Sequence, residues 1–429
     1  MADCCHNPTW CIPEPRQIEL HPFPERPVID VSIINTNSRV KPVLKRDGNL
    51  VNSTRLHHDV ISEIPSEAVI PQRLEKNYTG TLARLGLQAL TSFPGAPVAF
   101  GGVWANFTGT AIIGFLIQDS KIFKCGLEFP VNSVNGREPQ RTGREETEAQ
   151  SHGLDTATAR QVNLAMKKRI PLYIGLTTGF CGCCTSFSSF LRDAFLGLTN
   201  NLRPSGSEII AVSPTLMDSN EIGHSVMALL AVIIVTMSIS ICALYIGEQM
   251  ADLLEPYIPS VSFKFVPRFL APGVAVIAWV IWLSLIVLAI SHQNRLDKEI
   301  DEWLEALIFS LVFAPLGCLT RYYTSLHLNN RVSNFPLATF LVNVIGTTIL
   351  AVAYDLQHMA ILDTFQDRIL QGVQDGFCGC LTTVSTWIAE LTNLPRKSAY
   401  IYGLASVVIA LCFTITIIGT LIWTRGFSG

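Results

Sequence analysis

The sequence predicts an all-α polytopic membrane protein, in which two inverted four-helix repeats are joined by a single linker transmembrane helix to give nine spans. The first reason is composition, because 49% of the 429 residues are hydrophobic and 15% are charged, whereas a soluble domain has roughly 25% charged residues. The second reason is the order of the apolar blocks, which runs four, one, four along the chain. The third is a short motif that occurs once in each group of four.

The repeated motif reads GFCGCCTSFSSF at residues 179–190 and GFCGCLTTVSTW at residues 376–387. Each copy lies in a segment that can span a bilayer, yet its paired glycines and its run of hydroxyls weaken a helix. A break at membrane depth is tolerated only inside protein or beside water. We therefore predict a broken third helix in each repeat and a polar site within the membrane, which is the layout of a channel or a transporter.

The apolar blocks divide the chain into regions. The first block contains a Pro-Gly turn at residues 93–97 and is long enough for two spans of about 20 residues each. We predict a disordered cytosolic N-terminal tail at 1–76, a first four-span domain at 77–250 with a polar insertion at 118–169, a linker at 251–300 with one transmembrane helix at about 269–290, and a second four-span domain at 301–429.

Two further motifs recur at matching places in the two halves. They are Gly80-x-x-x-Arg84 with Gly317-x-x-x-Arg321, and Asn106-x-x-Gly109 with Asn343-x-x-Gly346. The arginine and the asparagine are 22 residues apart in both copies, so the register holds across two helices. Internal duplication explains this better than chance does.

The linker helix sets the relative orientation of the repeats. Four spans return the chain to its starting side, and one extra crossing turns the second copy over, so a pseudo-two-fold axis in the membrane plane is expected. Basic residues concentrate in the loops that share a side with the N terminus, such as Lys167–Arg169 and Arg396–Lys397. The positive-inside rule then predicts a cytosolic N terminus and an extracellular C terminus.

Other classes are disfavoured. A net charge of −3 gives no argument for nucleic acid, and no nucleotide-binding motif or organic cofactor motif is visible. No cleaved signal peptide is expected at Met1. Most of the 12 cysteines lie in apolar spans and are expected to be reduced and structural. Cys4, Cys5 and His6 suggest metal binding or lipidation, but a free tail is favoured because no second ligand pair is near.

The three motifs, in this order and in both halves, resemble those of the Fluc/FEX family of fluoride channels. The fused two-domain layout with a linking helix is similar to the fungal-type eukaryotic members. The resemblance covers about residues 78–424. It implies a fluoride-selective passive channel that exports cytosolic fluoride across the plasma membrane, gives fluoride resistance, and works in the lipid bilayer as a monomeric single chain, a pseudo-dimer.

Several side chains are candidates for a pore. Asn106 and Asn343 offer amide N–H groups, with Thr110 and Thr347 one helical turn later. An Asn in a membrane helix also commonly bonds a neighbouring helix, but recurrence at one offset favours function. The resemblance implies a pore lined further by Ser188, Thr382, Ser385, Tyr402 and Ser406.

Phe187 and Phe190 share a helical face, and an aromatic edge carries the positive end of the ring quadrupole. Packing is the ordinary role of such a pair, but the resemblance implies that it lines the pore. Val384 and Trp387 hold the matching positions in the second copy. We therefore expect one working pore and one degenerate pore.

The resemblance also implies a structural sodium ion at the centre between the domains. Its ligands are expected to be the backbone carbonyls of Gly182, Cys183, Gly379 and Cys380. A thiolate metal site is the alternative, built from Cys181, Cys183, Cys184, Cys378 and Cys380. It is less favoured because the usual Cys-x-x-Cys spacing is missing.

Four charged residues are predicted as vestibule groups or membrane-interface anchors. Arg84 and Arg321 are placed near the start of the first helix of each domain, and Asp193 and Glu390 lie three residues beyond each signature. Long basic side chains snorkel to the interface, and a positive vestibule attracts anions.

Two alternatives to a channel remain open. One is a coupled fluoride/proton antiporter, with Asp193 or Glu390 as proton carrier, or another inverted-repeat small-anion transporter. The other is an enzyme with Cys181 or Cys378 as nucleophile. It is disfavoured, because no base lies at a comparable depth: His224 and His358 fall at span ends.

Overall fold

The computed structural model of the chain describes residues 66–93, 96, 98, 100–119, 121–123, 167, 170–202, 222–258, 270–292, 300–329, 331–332, 334–358 and 363–425. All regular structure in these residues is helical, and they contain no strand. The chain before residue 66 and most of the polar insertion lie outside the described residues, and so do Cys4, Cys5 and His6.

The described helices follow the order of the predicted apolar blocks. They are α1 (Ser66–Thr91), α2 (Gly102–Gln118), α3 (Pro171–Leu198), α4 (Ile222–Leu254), α5 (Leu270–His292), α6 (Ile300–Leu328), α7 (Leu337–Gln357), α8 (residues 364–393) and α9 (Arg396–Arg425). Five stretches, which lie in α3, α4, α6, α7 and α9, are long and apolar enough to cross a membrane. Helix α5 contributes a shorter apolar stretch, Val276–Ser291.

The start of α1 corrects the predicted boundary of the tail. The helix begins at Ser66, although residues 66–76 were assigned to a disordered segment. That assignment rested on the prolines, asparagines and charges of residues 1–76 and on their lack of a sustained apolar period. Arg, Glu and Lys are good helix formers, so the absence of an apolar pattern does not prevent a helix here.

Helices α3 and α8 are broken in the middle, as the two signatures predict. The segments are α3a (residues 171–184) and α3b (Phe187–Leu198), and α8a (residues 364–381) and α8b (Ser385–Asn393). Thr185 and Thr382 are extended at the breaks, with ψ angles of 147° and 157°. Hydroxyl residues favour such cap positions over helix interiors.

A π-helical turn precedes each break, which the sequence did not predict. The two turns are Gly175–Cys181 and Val373–Cys378, and each ends at the first cysteine of its signature. Such insertions into a helix are rare and occur often at functional sites. They mark α3a and α8a as the specialised helices of the two halves.

The glycine of each Gly-x-x-x-Arg motif lets the first helix approach the signature helix of its own half. A Cβ atom at Gly80 would overlap the carbonyl oxygen of Phe180, and one at Gly317 would overlap that of Phe377. Backbone atoms cannot move aside as a flexible side chain can. Only glycine therefore fits at these two crossings.

The glycine of each Asn-x-x-Gly motif makes room for the broken helix. A Cβ atom at Gly109 would overlap the side-chain methyl of Thr185, and one at Gly346 would overlap that of Thr382. The second helix of each half therefore lies directly against the threonine at the break.

The outside of the described bundle is apolar. Helix α5 packs on α1 and α6, where Trp282 Nε1 donates to Val312 O at 3.0 Å. On its outer side, Val276, Val280 and Val287 are more than half exposed. Apolar side chains exposed all along a helix are expected where the solvent is lipid.

Candidate functional site

The two helix breaks meet, and the threonine of each one caps the helix that follows the other. Thr382 Oγ1 accepts hydrogen bonds from the backbone N–H groups of Phe187 and Ser188, both at 3.1 Å. Thr185 Oγ1 accepts from the N–H groups of Val384 and Ser385, at 3.2 and 3.1 Å. These are matching positions in the two signatures, so the same contact is made twice.

The signature serines extend this crossed network. Ser188 Oγ donates to Cys378 O at 3.4 Å, and Ser385 Oγ donates to Cys181 O at 3.2 Å. Both serines are fully buried. Buried backbone groups must be paired, and here the groups freed by one break find partners in the other half. The two halves therefore complete each other at the centre of the molecule.

Asn106 and Asn343 bond the backbone of the break in their own half. Asn106 Oδ1 accepts from the N–H group of Ser186 at 3.0 Å, and Asn343 Oδ1 accepts from that of Thr383 at 2.9 Å. Asn343 Nδ2 also donates to Thr383 O at 3.2 Å. Both residues thus hold a break in place by bonding a neighbouring helix, which is the structural alternative considered for them. Their role in conduction stays a prediction.

Thr347 and Thr110, each one helical turn after its asparagine, differ in their hydrogen bonding. Thr347 Oγ1 donates to Asn343 O at 2.7 Å. Thr110 Oγ1 is buried and has no hydrogen-bond partner within the described residues.

Three aromatic rings stack edge to face beside the breaks. The ring centroid of Phe187 lies 5.6 Å from that of Phe190 and 5.1 Å from that of Trp387. All three side chains are buried, as is Val384. Trp387 Nε1 finds no hydrogen-bond partner in the described part of the chain. Phe187 of the predicted pair therefore contacts Trp387 of its degenerate counterpart.

The segments after the breaks lie between the two halves, because α3b also packs against α4, and α8b against α9, of its own half. Helix α3b packs against α7 and α9, and α8b packs against α2 and α4. Phe195 of α3b, for example, packs with Ala351 and Ile418. The surroundings of Phe187 and Phe190 are thus partly supplied by the second half, which the sequence did not assign.

Glu390 is held by two hydroxyl groups of the second half. Tyr402 Oη donates to Glu390 Oε2 at 2.7 Å, and Thr339 Oγ1 donates to Glu390 Oε1 at 2.8 Å. Ser406 Oγ, one turn further along α9, donates to Tyr402 O at 2.7 Å. Polar groups thus follow α9 inward from the carboxylate.

Asp193 lines a cavity of about 580 Å³ between the two halves. Its Oδ1 atom pairs with Arg192 Nη2 at 3.3 Å. Asp375, Gln371 and Tyr354 from the second half line the same cavity. It has the size of a vestibule rather than of an ion site.

Arg84 and Arg321 correct the prediction of interface anchors or vestibule groups. Both are buried, with 1% and 3% of their surface exposed, and neither lies near the start of its helix. Arg321 Nη1 donates to Gly182 O at 2.8 Å and to Thr382 O at 3.3 Å, while its Nη2 donates to Thr178 O. The guanidinium thus donates to carbonyls near both helix breaks.

Arg84 makes the matching approach from the first half. Its Nη2 donates to Asp375 O, and its guanidinium lies where a Cβ atom of Gly379 would be. Arg321 lies in the same way against Gly182. Each arginine therefore reaches from the first helix of one half to the signature of the other half, and each signature needs its glycine at that point.

Two of the four residues predicted as sodium ligands lie against an arginine. Gly182 O already accepts from Arg321, and Gly379 lies under the guanidinium of Arg84. A further unit charge about 4 Å from a guanidinium is repelled by roughly 4 kcal/mol at an effective dielectric of about 20. The side chains of Cys183 and Cys380 belong to one buried cluster. Cys380 Sγ lies 3.1 Å from Thr81 Oγ1.

The cysteines of the described part are free thiols. No group of His, Cys, Asp or Glu residues within that part has the arrangement of a metal site. The thiolate alternative therefore has no support among the described residues.

Sequence reasoning missed four contributors to this site. They are Thr185, Ser186, Thr339 and Thr383, whose side chains bond the breaks or Glu390. Thr185 and Thr382 match in the two signatures, so the repeat itself contained the signal for one of them. Thr339 shows none, because it is distant in sequence from the residues it contacts.

The fold and the site together define a class: a helical membrane protein whose two similar halves meet at broken helices. Residues 77–248 and 308–420 match the family model described as CrcB-like protein, Camphor Resistance (CrcB). The chain belongs to this family.

Three similar proteins have names that refer to fluoride. The Fluoride export protein 1 of Neurospora crassa is 44% identical over 357 residues, which is 81% of this chain and 65% of that protein. The Fluoride export protein 1 of Candida albicans is 30% identical over 81% of this chain and 78% of its own length. The Fluoride-specific ion channel FluC of Acinetobacter baylyi is 34% identical over 26% of this chain and 81% of its own length. This chain thus spans slightly under two thirds of the Neurospora protein. No solved structure matches it.

Proposed function

We propose that this chain is a fluoride-selective passive channel that exports cytosolic fluoride across the plasma membrane and so gives fluoride resistance. The observation that carries the proposal is the crossed pair of helix breaks, in a chain whose relatives are named for fluoride export. A channel of this kind is not an enzyme, and the buried cysteines have no catalytic part in it.

The proposed topology has nine spans, with the second half inverted relative to the first. The support is that the hydrogen bonds between the breaks are reciprocal, as a two-fold axis requires. The single helix α5 between the two groups of four provides the odd crossing that inversion needs. The N terminus is then cytosolic and the C terminus extracellular.

We place the working pore beside Phe187 and Phe190. Fluoride is small and strongly hydrated, so a pore must replace its water with donors and with partial positive charge. Aromatic edges provide such charge. The hydroxyls of Tyr402 and Ser406 lie along α9 and would donate to the anion by leaving their present acceptors, Glu390 Oε2 and Tyr402 O. Helix α3b packs against α9, so these groups lie on neighbouring helices.

The second pathway is proposed to be degenerate. It lies beside α8b, where Val384 and Trp387 replace the two phenylalanines, and next to α2 and α4. Buried polar atoms without described partners remain there on Thr110, Ser240 and Trp387. This pathway therefore keeps polar groups but lacks the pair of phenylalanine rings.

Transport through this pore requires no coupling. A membrane potential negative inside drives an anion outward by about 2.3 kcal/mol per 100 mV. The vestibule of about 580 Å³ that Asp193 lines is proposed as the outer mouth.

The test is anion efflux from liposomes that contain the full chain, under a potential set by potassium and valinomycin. We expect fast fluoride efflux without chloride efflux, and its loss in Phe187→Ile. Phe413→Ile is the matched control, because Phe413 is 46% exposed on the outside of α9, and it should conduct normally.

Three outcomes contradict the proposal or a part of it. The absence of fluoride flux from well-folded protein overturns the channel itself. Fluoride flux that follows a proton gradient and ignores the potential identifies the coupled antiporter instead. Flux that survives Phe187→Ile moves the pore away from the first signature.

A further inference from the structure

We propose that Arg84 and Arg321 take the place of a structural cation at the centre of this chain, so that its folded state needs no sodium. This inference concerns what holds the two halves together, and it does not depend on which anion is carried.

The first observation is the set of bonds that Arg321 makes. Its guanidinium is buried and donates to three backbone carbonyls, those of Gly182, Thr178 and Thr382. Two of them belong to the break region of the first half and one to that of the second half. Carbonyl oxygens that converge from two helix breaks are the ligands that a hard monovalent cation uses. In this chain the guanidinium of Arg321, a cation that is part of the protein, binds them instead.

The second observation is that the arrangement is made twice. Arg84 is 1% exposed and approaches Gly379 and Asp375 O from the other side. Both arginines lie against the second glycine of the opposite signature. The centre of the molecule therefore carries two fixed positive charges rather than one exchangeable charge.

The third observation is that no carboxylate neutralises them. Neither arginine forms an ion pair within the described residues, where the ion pairs are Arg192–Asp193 and Arg368–Glu305. Arg84 Nε and Nη1 and Arg321 Nε are buried and have no hydrogen-bond partner in that part. A buried charge without a counterion is costly, so adding another cation between the two arginines would raise the cost further.

The central charge also has a physical use. Fixed positive charges in a low-dielectric interior create a potential that favours an anion nearby. In a chain that carries them on side chains, this potential does not depend on the cation concentration on either side of the membrane.

The experiment measures the thermal unfolding of the purified full chain in detergent, in buffers with sodium or with N-methyl-D-glucamine as the only cation. We expect the wild-type Tm to be the same in both buffers. A wild-type Tm that falls without sodium and recovers as sodium is added back overturns the proposal. This readout is independent of fluoride flux, so its failure is distinct from failure of the channel.

Variants test the arginine itself. Arg321→Gln removes the charge and keeps a donor, and we expect its Tm to fall by several degrees and to become sensitive to added sodium. Arg396→Gln is the control, since Arg396 is exposed, and its Tm should not change. An Arg321→Gln protein as stable as wild type in sodium-free buffer overturns the proposal. If that variant does not fold, the wild-type comparison still decides.

Discussion

The contact between the two breaks can be tested by replacing the hydroxyl of Thr382 with a methyl group. Valine has nearly the same shape as threonine, so Thr382→Val changes the hydrogen bonds and preserves the packing. The substitution removes the acceptor of the N–H groups of Phe187 and Ser188, both 3.1 Å away. It also removes the bond that Thr382 Oγ1 donates to Cys378 O at 3.0 Å.

The expected cost follows from the two abandoned donors. Leaving one buried N–H group unsatisfied costs about 1–3 kcal/mol. Both groups lie in a break that is closed to solvent, because Phe187 and Ser188 are fully buried. Thr382→Val is therefore expected to lower the free energy of unfolding by about 2–6 kcal/mol. Thr185→Val should cost about the same, since Thr185 accepts from two N–H groups in the mirrored contact.

Reversible unfolding in mixed micelles, titrated with dodecyl sulfate, measures this difference. Thr320→Val is the matched control, because the Thr320 side chain is exposed and bonds only Leu316 O of its own helix, at 2.8 Å. Its unfolding free energy should change by no more than about 0.5 kcal/mol. If Thr382→Val proves as mild as Thr320→Val, the breaks are not held together by these threonines and the reasoning is refuted.

Two further predictions use the same preparations. Gly317→Ala should destabilise the protein by about 1–3 kcal/mol, because its Cβ would overlap a backbone carbonyl of α8a. Gly86→Ala is the control: no atom lies within 4 Å of its Cβ, so it should be neutral or stabilising by up to about 1 kcal/mol. Equal effects of the two variants in the unfolding titration would contradict the close crossing. Tyr402→Phe removes the 2.7 Å bond to Glu390 and should slow fluoride efflux from liposomes while costing about 1–3 kcal/mol; wild-type efflux would exclude this pair from the pathway.

Much of the helix pattern could be predicted from the sequence. The broken third helices were predicted from the glycines and hydroxyls of the signatures, and the helix order from the apolar blocks. The start of α1 was predicted too late, because residues 66–76 lack a sustained apolar pattern, although good helix formers such as Glu67, Ala68 and Lys76 are among them. The π-helical turns before the breaks were not predicted, since they depend on helix packing rather than on local composition.

The sequence by itself determined the membrane class, the duplication and the positions of the polar breaks, since these follow from hydropathy and from motif spacing. Only the tertiary structure decided which groups meet at the breaks. Arg84 and Arg321 show this best: the sequence predicted a vestibule group or an interface anchor at each position, and both are buried against the opposite signature. A long charged side chain is stable in either place, provided that its donors find oxygen acceptors. Those acceptors are carbonyls 139 residues away from Arg321 and 291 from Arg84 in sequence, so the contact exists only once the two halves have come together.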